Sequence, residues 1–477
     1  MKILILTSYI TCPPISGGAK RMINPALRLA ADYGYEYTFL VPTWNREDEL
    51  RISRFLSAFP GVRVITCRRV PLINVRRNLP SKLVDSMDAN YYDTLRTLLR
   101  AETFDCIQVE HSWMAWVVPL VRLVAPETPV VIDLHNVEYK LYELWFNHAS
   151  GGERKRIENE LRLTKQWEEK VWPWFDGCLA VSIKEANIFR AVTQGAVPVC
   201  VAPTGGGVDT KFYVFSPEWD GRLRGVMLYL GTLNWEPNVH GLLWFIDHVL
   251  PYLKEAYLLI AGAFASPHRG LMKRINRHER IIFIGEVEDD RPLLYASDVF
   301  VVPLFVGAGA RVKILTAWAT GIPVVSTTVG AEGLVCQDQV HILLADEPGT
   351  FASNVEILMK NNSFRQHVII NARRLVEQRY SLNVACKIYN KFYLMIQKKG
   401  TNRRKEVPLR DWERENMKIE DILATHKFYV PKGFSNKRAR SVTYIVLRAI
   451  EVLRKEGVGS FLRKSVRYIR KGWKTLW

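Results

Sequence analysis

The chain has 477 residues, a hydrophobic fraction of 48% and a formal net charge of +18. Its length favours two domains with further segments, and the absence of about 20 uninterrupted apolar residues excludes a membrane-spanning helix. The seven cysteines show neither CxxC nor Cys/His metal spacing, so we expect free thiols in a reducing, cytoplasmic compartment.

Short apolar runs alternate with longer amphipathic segments in the first two hundred residues. The N-terminal run is too short for the core of a signal peptide, so we predict a first buried strand there. Continuous β-branched runs between helical patterns are typical of parallel strands that are buried on both faces. The predicted strands are 2–7, 37–42, 62–67, 104–110, 129–135, 177–182 and 198–203.

A second cycle of apolar runs and helical patterns follows the first. Its predicted strands are 226–232, 257–262, 281–286, 299–304, 323–328 and 341–346, and helices are predicted at about 349–360, 365–378 and 381–397. The expected fold class is therefore α/β, with two Rossmann-like, doubly wound parallel-sheet domains. We place the N-terminal domain at 1–203, closed by a C-terminal helix at about 380–397, and the second domain at 204–379.

The C-terminal tail carries most of the positive charge. From Lys398 to Trp477 there are 22 Lys and Arg against 8 Asp and Glu, a net of +14. Residues 398–440 have no clear period and are predicted to form a basic linker. Residues 441–477 place apolar side chains on one helical face and cations around it. We expect this basic amphipathic helix to bind an anionic membrane surface rather than nucleic acid.

Candidate site residues follow the predicted strands, because ligands of open parallel sheets bind beyond the carboxyl ends of the strands. Gly17 and Gly18 precede a predicted helix, where backbone amides can approach a ligand. A turn that requires glycine explains them equally well. His135 ends a strand at the same edge and is able to polarise a sugar hydroxyl, although a structural role stays open.

The loop after the run at 299–304 predicts an anion site. It contains Gly307 and Gly309, and Arg311 and Lys313 lie in the first turn of the helix that follows. Cations at a helix N-terminus oppose the macrodipole, so a compensating anion is expected. A diphosphate would find backbone amides, a guanidinium and an ammonium together.

Two further loops follow strands of the second domain. The loop at 327–333 contains Gly330, Ala331, Glu332 and Gly333, and we expect the carboxylate to accept hydrogen bonds from sugar or ribose hydroxyls. The acidic run 288–290 invites a metal-ligand interpretation. Its position before a helical pattern instead predicts the N-terminal turn of a helix, where carboxylates are stabilising.

Three segments of the second half resemble the glycosyltransferase family 4-like enzymes. They read LYLGTLNWEPNVHGLLWF, FIGEVEDDRPLLYASDVFVVPL and GAGARVKILTAWATGIPVVSTTVGAEGL, and the bacterial subgroup with GGGxRLKILEAMAxGxPVVSTTxGAEGL is the most similar pattern. PPISGG and DLHNVEYK resemble the N-terminal half of that subgroup. The resemblance covers about residues 1–397. It implies a GT-B fold, two Rossmann-like domains facing a cleft, and retaining, metal-independent transfer from a nucleotide diphosphate sugar.

The resemblance also implies roles for the candidate residues. Arg311 and Lys313 would neutralise the donor diphosphate as the leaving group departs, and His135 would touch the transferred sugar. Gly17 and Gly18 would lie against the donor phosphate or the acceptor. The remaining donor-binding candidates are Gly307, Gly309, Thr316, Gly330, Ala331, Glu332 and Gly333.

Thr316 is the main departure from the family pattern. Family members carry a glutamate there that grips the ribose hydroxyls of the nucleotide. Threonine offers a hydrogen bond without charge, and the exchange is expected to cost roughly 1–3 kcal/mol of donor binding. A weaker donor grip, a different donor and a decayed site all stay open.

We therefore expect a transferase that moves a sugar from a UDP- or GDP-sugar to a glycan or lipid-linked acceptor in bacterial cell-surface polysaccharide synthesis. No cofactor beyond the donor substrate and no metal is expected. The protein would be cytoplasmic, peripheral at the inner face of the membrane. The alternative is a catalytically weak GT-B module that binds a nucleotide sugar or a partner protein.

Overall fold

The computed structural model describes residues 1–14, 16–70, 78–149, 151–203, 206–217, 224–233, 235–262, 268–306 and 312–399. These residues form two compact units. The N-terminal unit contains the described residues between 1 and 209 and those between 379 and 399. The C-terminal unit contains the described residues between 210 and 378. The described residues end at 399, so the predicted tail at 441–477 and the predicted linker at 398–440, apart from its first two residues, lie outside them.

The N-terminal unit is built on a seven-stranded parallel sheet in the order β3-β2-β1-β4-β5-β6-β7. All seven predicted strands are confirmed. Their bounds are β1 Lys2–Leu6, β2 Glu36–Thr43, β3 Val62–Arg68, β4 Cys106–Glu110, β5 Val130–Leu134, β6 Gly177–Ala180 and β7 Val199–Val201. The order reverses between β1 and β4, which makes the carboxyl ends of these two strands the topological switch point of the sheet.

Helices connect the strands of this sheet. They are α1 Gly17–Tyr33, α2 Arg46–Leu56, α3 Ser81–Ser86, α4 Ala89–Ala101, α5 Val118–Val124, α6 Glu138–His148, α7 Gly151–Val171 and α8 Ile183–Val192. Helix α1 begins at Gly17 because the Ser16 hydroxyl accepts a hydrogen bond from the Ala19 amide, and it ends at Gly34, whose φ of 67° favours glycine. The two predicted site glycines are thus the first residues of the helix rather than a loop before it.

A last helix, α15 Leu382–Lys399, belongs to the N-terminal unit although it follows the C-terminal one in the chain. It packs against α1, and the fully buried side chains of Tyr389, Phe392 and Tyr393 share a hydrophobic core with β1 and β2. Burial of such large aromatic side chains is among the strongest stabilising contributions to a core. The helix therefore completes one face of the sheet.

The C-terminal unit contains a six-stranded parallel sheet in the order β10-β9-β8-β11-β12-β13. The six predicted strands are confirmed as β8 Val226–Leu230, β9 Tyr257–Ala261, β10 Ile281–Gly285, β11 Val299–Val302, β12 Val324–Ser326 and β13 Leu343–Leu344. The helices are α9 Glu236–Trp244, α10 Arg269–Arg277, α11 Arg291–Ala296, α12 Val312–Thr320, α13 Pro348–Lys360 and α14 Asn362–Leu375. Here the switch point lies between β8 and β11.

The predicted α/β class with two Rossmann-like parallel sheets is confirmed. All seven cysteines are free thiols, as expected. Within the described part of the chain, no helix has the length and apolar character needed to cross a membrane.

Candidate functional site

Lys313 lies in the first turn of α12, near the switch point of the C-terminal sheet. Its Nζ is 3.4 Å from Oδ1 of Asn238 and 5.1 Å from the ring centroid of Tyr229. The Asn238 amide donates to the Thr232 carbonyl at 2.9 Å, so its oxygen is left for the lysine. These contacts hold the ammonium over the carboxyl end of β8.

Two glycines that the sequence analysis did not select let neighbouring groups pack closely against this strand edge. A Cβ on Gly231 would lie 3.1 Å from the Lys313 Nζ, and one on Gly262 would lie 1.8 Å from the Gly231 carbonyl oxygen. Gly262 also has φ of 152°, which favours glycine. Each glycine directly follows an apolar run, and that position was the signal available in the sequence. An ammonium held at the carboxyl edge of the sheet is able to pair with a phosphate group.

The rest of the predicted anion loop lies outside the described residues. Gly307, Gly309 and Arg311 fall in the gap at 307–311. Their predicted contacts with a diphosphate stay predictions, and Lys313 is the member of this set whose position is described.

The loop after β12 folds into a short 3-10 turn, Val329–Ala331. The Gly330 amide donates to the Thr327 hydroxyl at 2.9 Å, the Ala331 amide to the Thr327 carbonyl at 3.2 Å, and the Glu332 amide to the Val329 carbonyl at 3.2 Å. These three amides are therefore engaged within the turn. If this loop contacts the donor as predicted, the half-buried Glu332 side chain and the exposed Gly333 would make those contacts.

Thr316 lies in the second turn of α12 and is 2% exposed. Its hydroxyl donates to the Lys313 carbonyl at 3.0 Å, within the helix. A threonine hydroxyl commonly makes this bond to the preceding turn. The structure thus gives the side chain a role inside the helix, and its predicted contact with the donor stays a prediction.

In the N-terminal unit, the structure brings Gly18 and His135 together with Tyr9, which the sequence analysis did not select. A Cβ on Gly18 would lie 2.7 Å from the Tyr9 hydroxyl and 3.4 Å from Nδ1 of His135. A side chain at position 18 would therefore displace both groups. Gly17, one residue earlier, is exposed.

His111 follows β4 at the same switch point and was also not selected from the sequence. It is buried, has φ of 70°, and its Nε2 is 3.3 Å from the Tyr9 hydroxyl. Its ring lies 3.9 Å, between centroids, from both the Trp113 and the His135 rings. Such strained backbone clusters at functional sites. Its place at the end of a predicted strand, in VEHSW, was the signal available in the sequence.

A buried polar chain lies behind His135. The histidine Nε2 is 2.7 Å from Oε2 of Glu110, and the other carboxylate oxygen accepts from the Gln108 amide at 2.6 Å. The Gln108 Oε1 accepts from the Tyr393 hydroxyl of α15 at 2.5 Å. Burial raises the pKa of Glu110 to about 7 and lowers that of His135 to about 4, because desolvation disfavours either charge.

A second buried chain runs beside the first. Both Nε and Nη2 of Arg21 lie 2.6 Å from Oδ1 of Asp133, and the Tyr389 hydroxyl donates to Oδ2 at 2.8 Å. Ligand-type atoms of Glu110, Asp133 and His135 lie within 4.8 Å of one another. Because the guanidinium already balances the aspartate, we assign no metal to this group.

The acidic run 288–290 precedes helix α11, as predicted. Oδ1 of Asp289 accepts from the Arg291 amide at 3.0 Å, and its other oxygen pairs with the Arg291 guanidinium at 2.7 Å. Asp290 occupies the N-cap position and accepts from the Tyr213 hydroxyl at 3.0 Å. The run is engaged at a helix start.

Two family models match the chain, one in each unit. Residues 17–205 match the glycosyl transferase 4-like domain, and residues 224–361 match glycosyl transferases group 1. The putative glycosyltransferase YtcC of Bacillus subtilis is 25% identical over 332 residues, which are 64% of this chain and 76% of that protein. The chain spans between 42% and 76% of the length of the curated relatives that it matches.

Solved structures agree with the fold. Sucrose-phosphate synthase from Thermosynechococcus elongatus superposes with a TM-score of 0.65 at 16% identity, over 83% of this chain and 99% of that one. Anabaena Alr3699/HepE in complex with UDP and glucose gives a TM-score of 0.61 at 16% identity, over 82% and 99%. The fold is thus that of GT-B glycosyltransferases. The chain contains a glycosyl transferase 4-like domain and a glycosyl transferases group 1 domain.

Proposed function

We propose that this glycosyltransferase transfers a sugar, with retention and without a catalytic metal, from a nucleotide diphosphate sugar to a glycan or lipid-linked acceptor. The observation that carries the proposal is the Lys313 ammonium, held by Asn238 at the carboxyl end of β8, where Gly231 lets it approach the backbone closely. Retention and the acceptor class rest on the resemblance of the sequence motifs. The biological role we propose is the synthesis of cell-surface polysaccharide.

In the proposed reaction, this site has to stabilise a departing diphosphate. Negative charge grows on the leaving group as the bond to the sugar breaks, and a fixed ammonium is worth more against that charge than against the ground state. Lys313 supplies this charge in our proposal, together with Arg311. The Glu332 carboxylate would accept hydrogen bonds from donor hydroxyls, and His135 would contact the transferred sugar.

UDP is the first nucleotide to test, because the HepE structure holds UDP and glucose. The purified chain would be heated with UDP-, GDP-, ADP- and dTDP-sugars in the presence of EDTA. A ligand that binds the folded state at 100 times its Kd adds about 2.7 kcal/mol of stability. We expect one nucleotide to raise the melting temperature and to support transfer without metal.

Two other outcomes of this panel would change the assignment. No shift with any donor at millimolar concentration contradicts the nucleotide-sugar proposal. A shift without transfer to any acceptor supports the alternative, a module that binds the nucleotide sugar but turns it over weakly, and makes Thr316 the residue to replace by glutamate.

We also propose that residues 441–477 dock the enzyme on an anionic membrane. The proposal rests on the basic amphipathic pattern of the sequence, since this segment lies outside the described residues. The full chain is expected to sediment with vesicles that contain anionic lipid, and a chain ending at residue 440 is expected to stay in the supernatant. Equal sedimentation of both would contradict this role.

A further inference from the structure

We propose that Glu110 is a positioning residue that holds His135 in the tautomer whose Nδ1 accepts a hydrogen bond from a hydroxyl of the transferred sugar. The inference rests on the proposed function, since it deepens the role of His135 in that site.

The orientation of Glu110 is set from behind by helix α15. The Tyr393 hydroxyl donates a hydrogen bond to Oε1 of Gln108, and this turns the Gln108 amide nitrogen toward Glu110. That nitrogen donates to Oε1 of Glu110. Oε2 is left facing Nε2 of His135 at 2.7 Å. Each member of this chain is buried, so water does not compete for these bonds.

The proton position on His135 follows from this arrangement. An ionised carboxylate has no proton to donate, so Nε2 of the histidine must carry the hydrogen of the 2.7 Å contact. A neutral imidazole holds one ring proton, and Nδ1 then keeps its lone pair. Carboxylate partners fix histidine tautomers in the same way at metal sites and in catalytic triads.

The surroundings of Nδ1 also favour the tautomer in which this nitrogen carries no proton. The atom faces Gly18 in the first turn of α1, where a Cβ would lie 3.4 Å away. The positive end of the helix dipole disfavours a protonated ring there. Residue 18 is glycine, Gly17 is exposed, and the histidine keeps 7% of its surface accessible, so in our proposal a sugar hydroxyl reaches Nδ1 past this turn.

Charged and titratable groups on eight elements or loops face the pair. They are Tyr9 after β1, Arg21 of α1, Lys82 of α3, Tyr91 of α4, His111 after β4, Asp133 of β5, Glu138 of α6 and Tyr389 of α15. Arg21 is paired with Asp133, and Lys82 with Glu138 at 2.6 Å, so the cations are matched by carboxylates. The Glu110–His135 pair is therefore the part of this cluster that is able to gain a proton near neutral pH.

This pair predicts an acid limb in the pH profile. Burial raises the pKa of Glu110 to about 7, and below that value the pair holds a second proton. If that proton lies on the Glu110 carboxyl, the carboxyl donates to Nε2 and the single ring proton of His135 moves to Nδ1. If it lies on the imidazole, both ring nitrogens carry a hydrogen. In either case Nδ1 cannot accept a hydrogen bond. Transfer should therefore fall as the pH drops through about 7.

The test is Glu110→Gln in the full chain, read by ¹⁵N NMR of labelled histidine and by kinetics. Gln108 would still donate to the side-chain oxygen at position 110, so the new amide NH₂ would face Nε2 and move the ring proton to Nδ1. We expect Nε2–H in the wild type at pH 8 and Nδ1–H in the variant. We expect kcat to fall about tenfold or more, with KM for the donor within about threefold, and the acid limb to disappear.

Glu185→Gln is the matched control, because Glu185 is also a buried carboxylate of the N-terminal unit, bonded to Ser182 at the start of α8. It should leave the tautomer, kcat and pH profile unchanged. A wild-type ring with its proton on Nδ1 at pH 8 overturns the proposal, as does wild-type kcat in Glu110→Gln. If the variant fails to fold, the titration of the wild-type ring nitrogens still decides the tautomer.

The same experiments separate this proposal from the proposed function. The tautomer is read without donor, and donor binding is read by the melting panel at the C-terminal unit. If no donor raises the melting temperature but the His135 ring carries its proton on Nε2, only the donor assignment is contradicted. If a donor raises the melting temperature but the ring carries its proton on Nδ1, only the role of Glu110 is contradicted.

Discussion

Replacing Lys313 with alanine is expected to lower kcat by about 10²–10³-fold while the protein stays folded. One lost group that stabilises transition-state charge typically has this effect. The side chain is half-buried, and its contacts include the Asn238 oxygen at 3.4 Å and the Tyr229 ring, neither of which carries a charge. The melting shift with the donor should also shrink.

The measurement is steady-state transfer with the donor found in the melting panel. Lys360→Ala is the control, because Lys360 is an exposed lysine of the same unit, paired with Glu356 at 2.7 Å on α13. Its kcat should match the wild type. Unchanged turnover in Lys313→Ala would remove this lysine from the diphosphate site and with it the observation on which the proposed function rests.

Replacing Arg21 with leucine is expected to cost about 3–5 kcal/mol of folding stability, because it leaves the Asp133 carboxylate buried without its cation. The side chains of this pair are 2% and 0% exposed, with 2.6 Å between Nη2 and Oδ1. The guanidinium also donates to the carbonyls of Ala202 and Pro203, at 3.3 and 3.0 Å. Two segments of the N-terminal unit, β5 and residues 202–203, would thus lose a shared partner on α1.

The midpoint of urea unfolding measures this loss. Arg28→Leu on the same helix is the control, since its partner Asp32 is 43% exposed and such surface pairs contribute about 0–1 kcal/mol. The double variant Arg21→Met, Asp133→Leu should recover part of the stability, because it removes both charges. An Arg21→Leu midpoint equal to that of Arg28→Leu would contradict this account of the pair.

The strands were predictable because parallel sheets buried on both faces leave a strong local signal. Each of the thirteen predicted apolar runs overlaps a strand of the structure, from Lys2–Leu6 to Leu343–Leu344. The helix start at 288–290 was predictable for a local reason too, since the Asp289 carboxylate accepts a hydrogen bond from the Arg291 amide two positions away. Strand order was not local information, because it depends on which strands pair across the chain.

The candidate site was predicted less completely than the fold. Gly18, His135 and Lys313 were found because each lies at a strand or helix end in a recognisable motif. Glu110 and Asn238 were missed. Their roles come from partners 25 and 75 positions away, which their immediate sequence does not identify.

The sequence by itself determined the alternation of buried strands and helices, the two sheets, and the glycines and cations at their carboxyl edges. Those features follow from short-range burial and backbone conformation. Only the tertiary structure decided that Tyr393 of α15 reaches Gln108 across 285 positions and orients Glu110 toward His135. Folding brings such groups together only after distant strands pair and the last helix returns to the first sheet, so no local pattern records the contact.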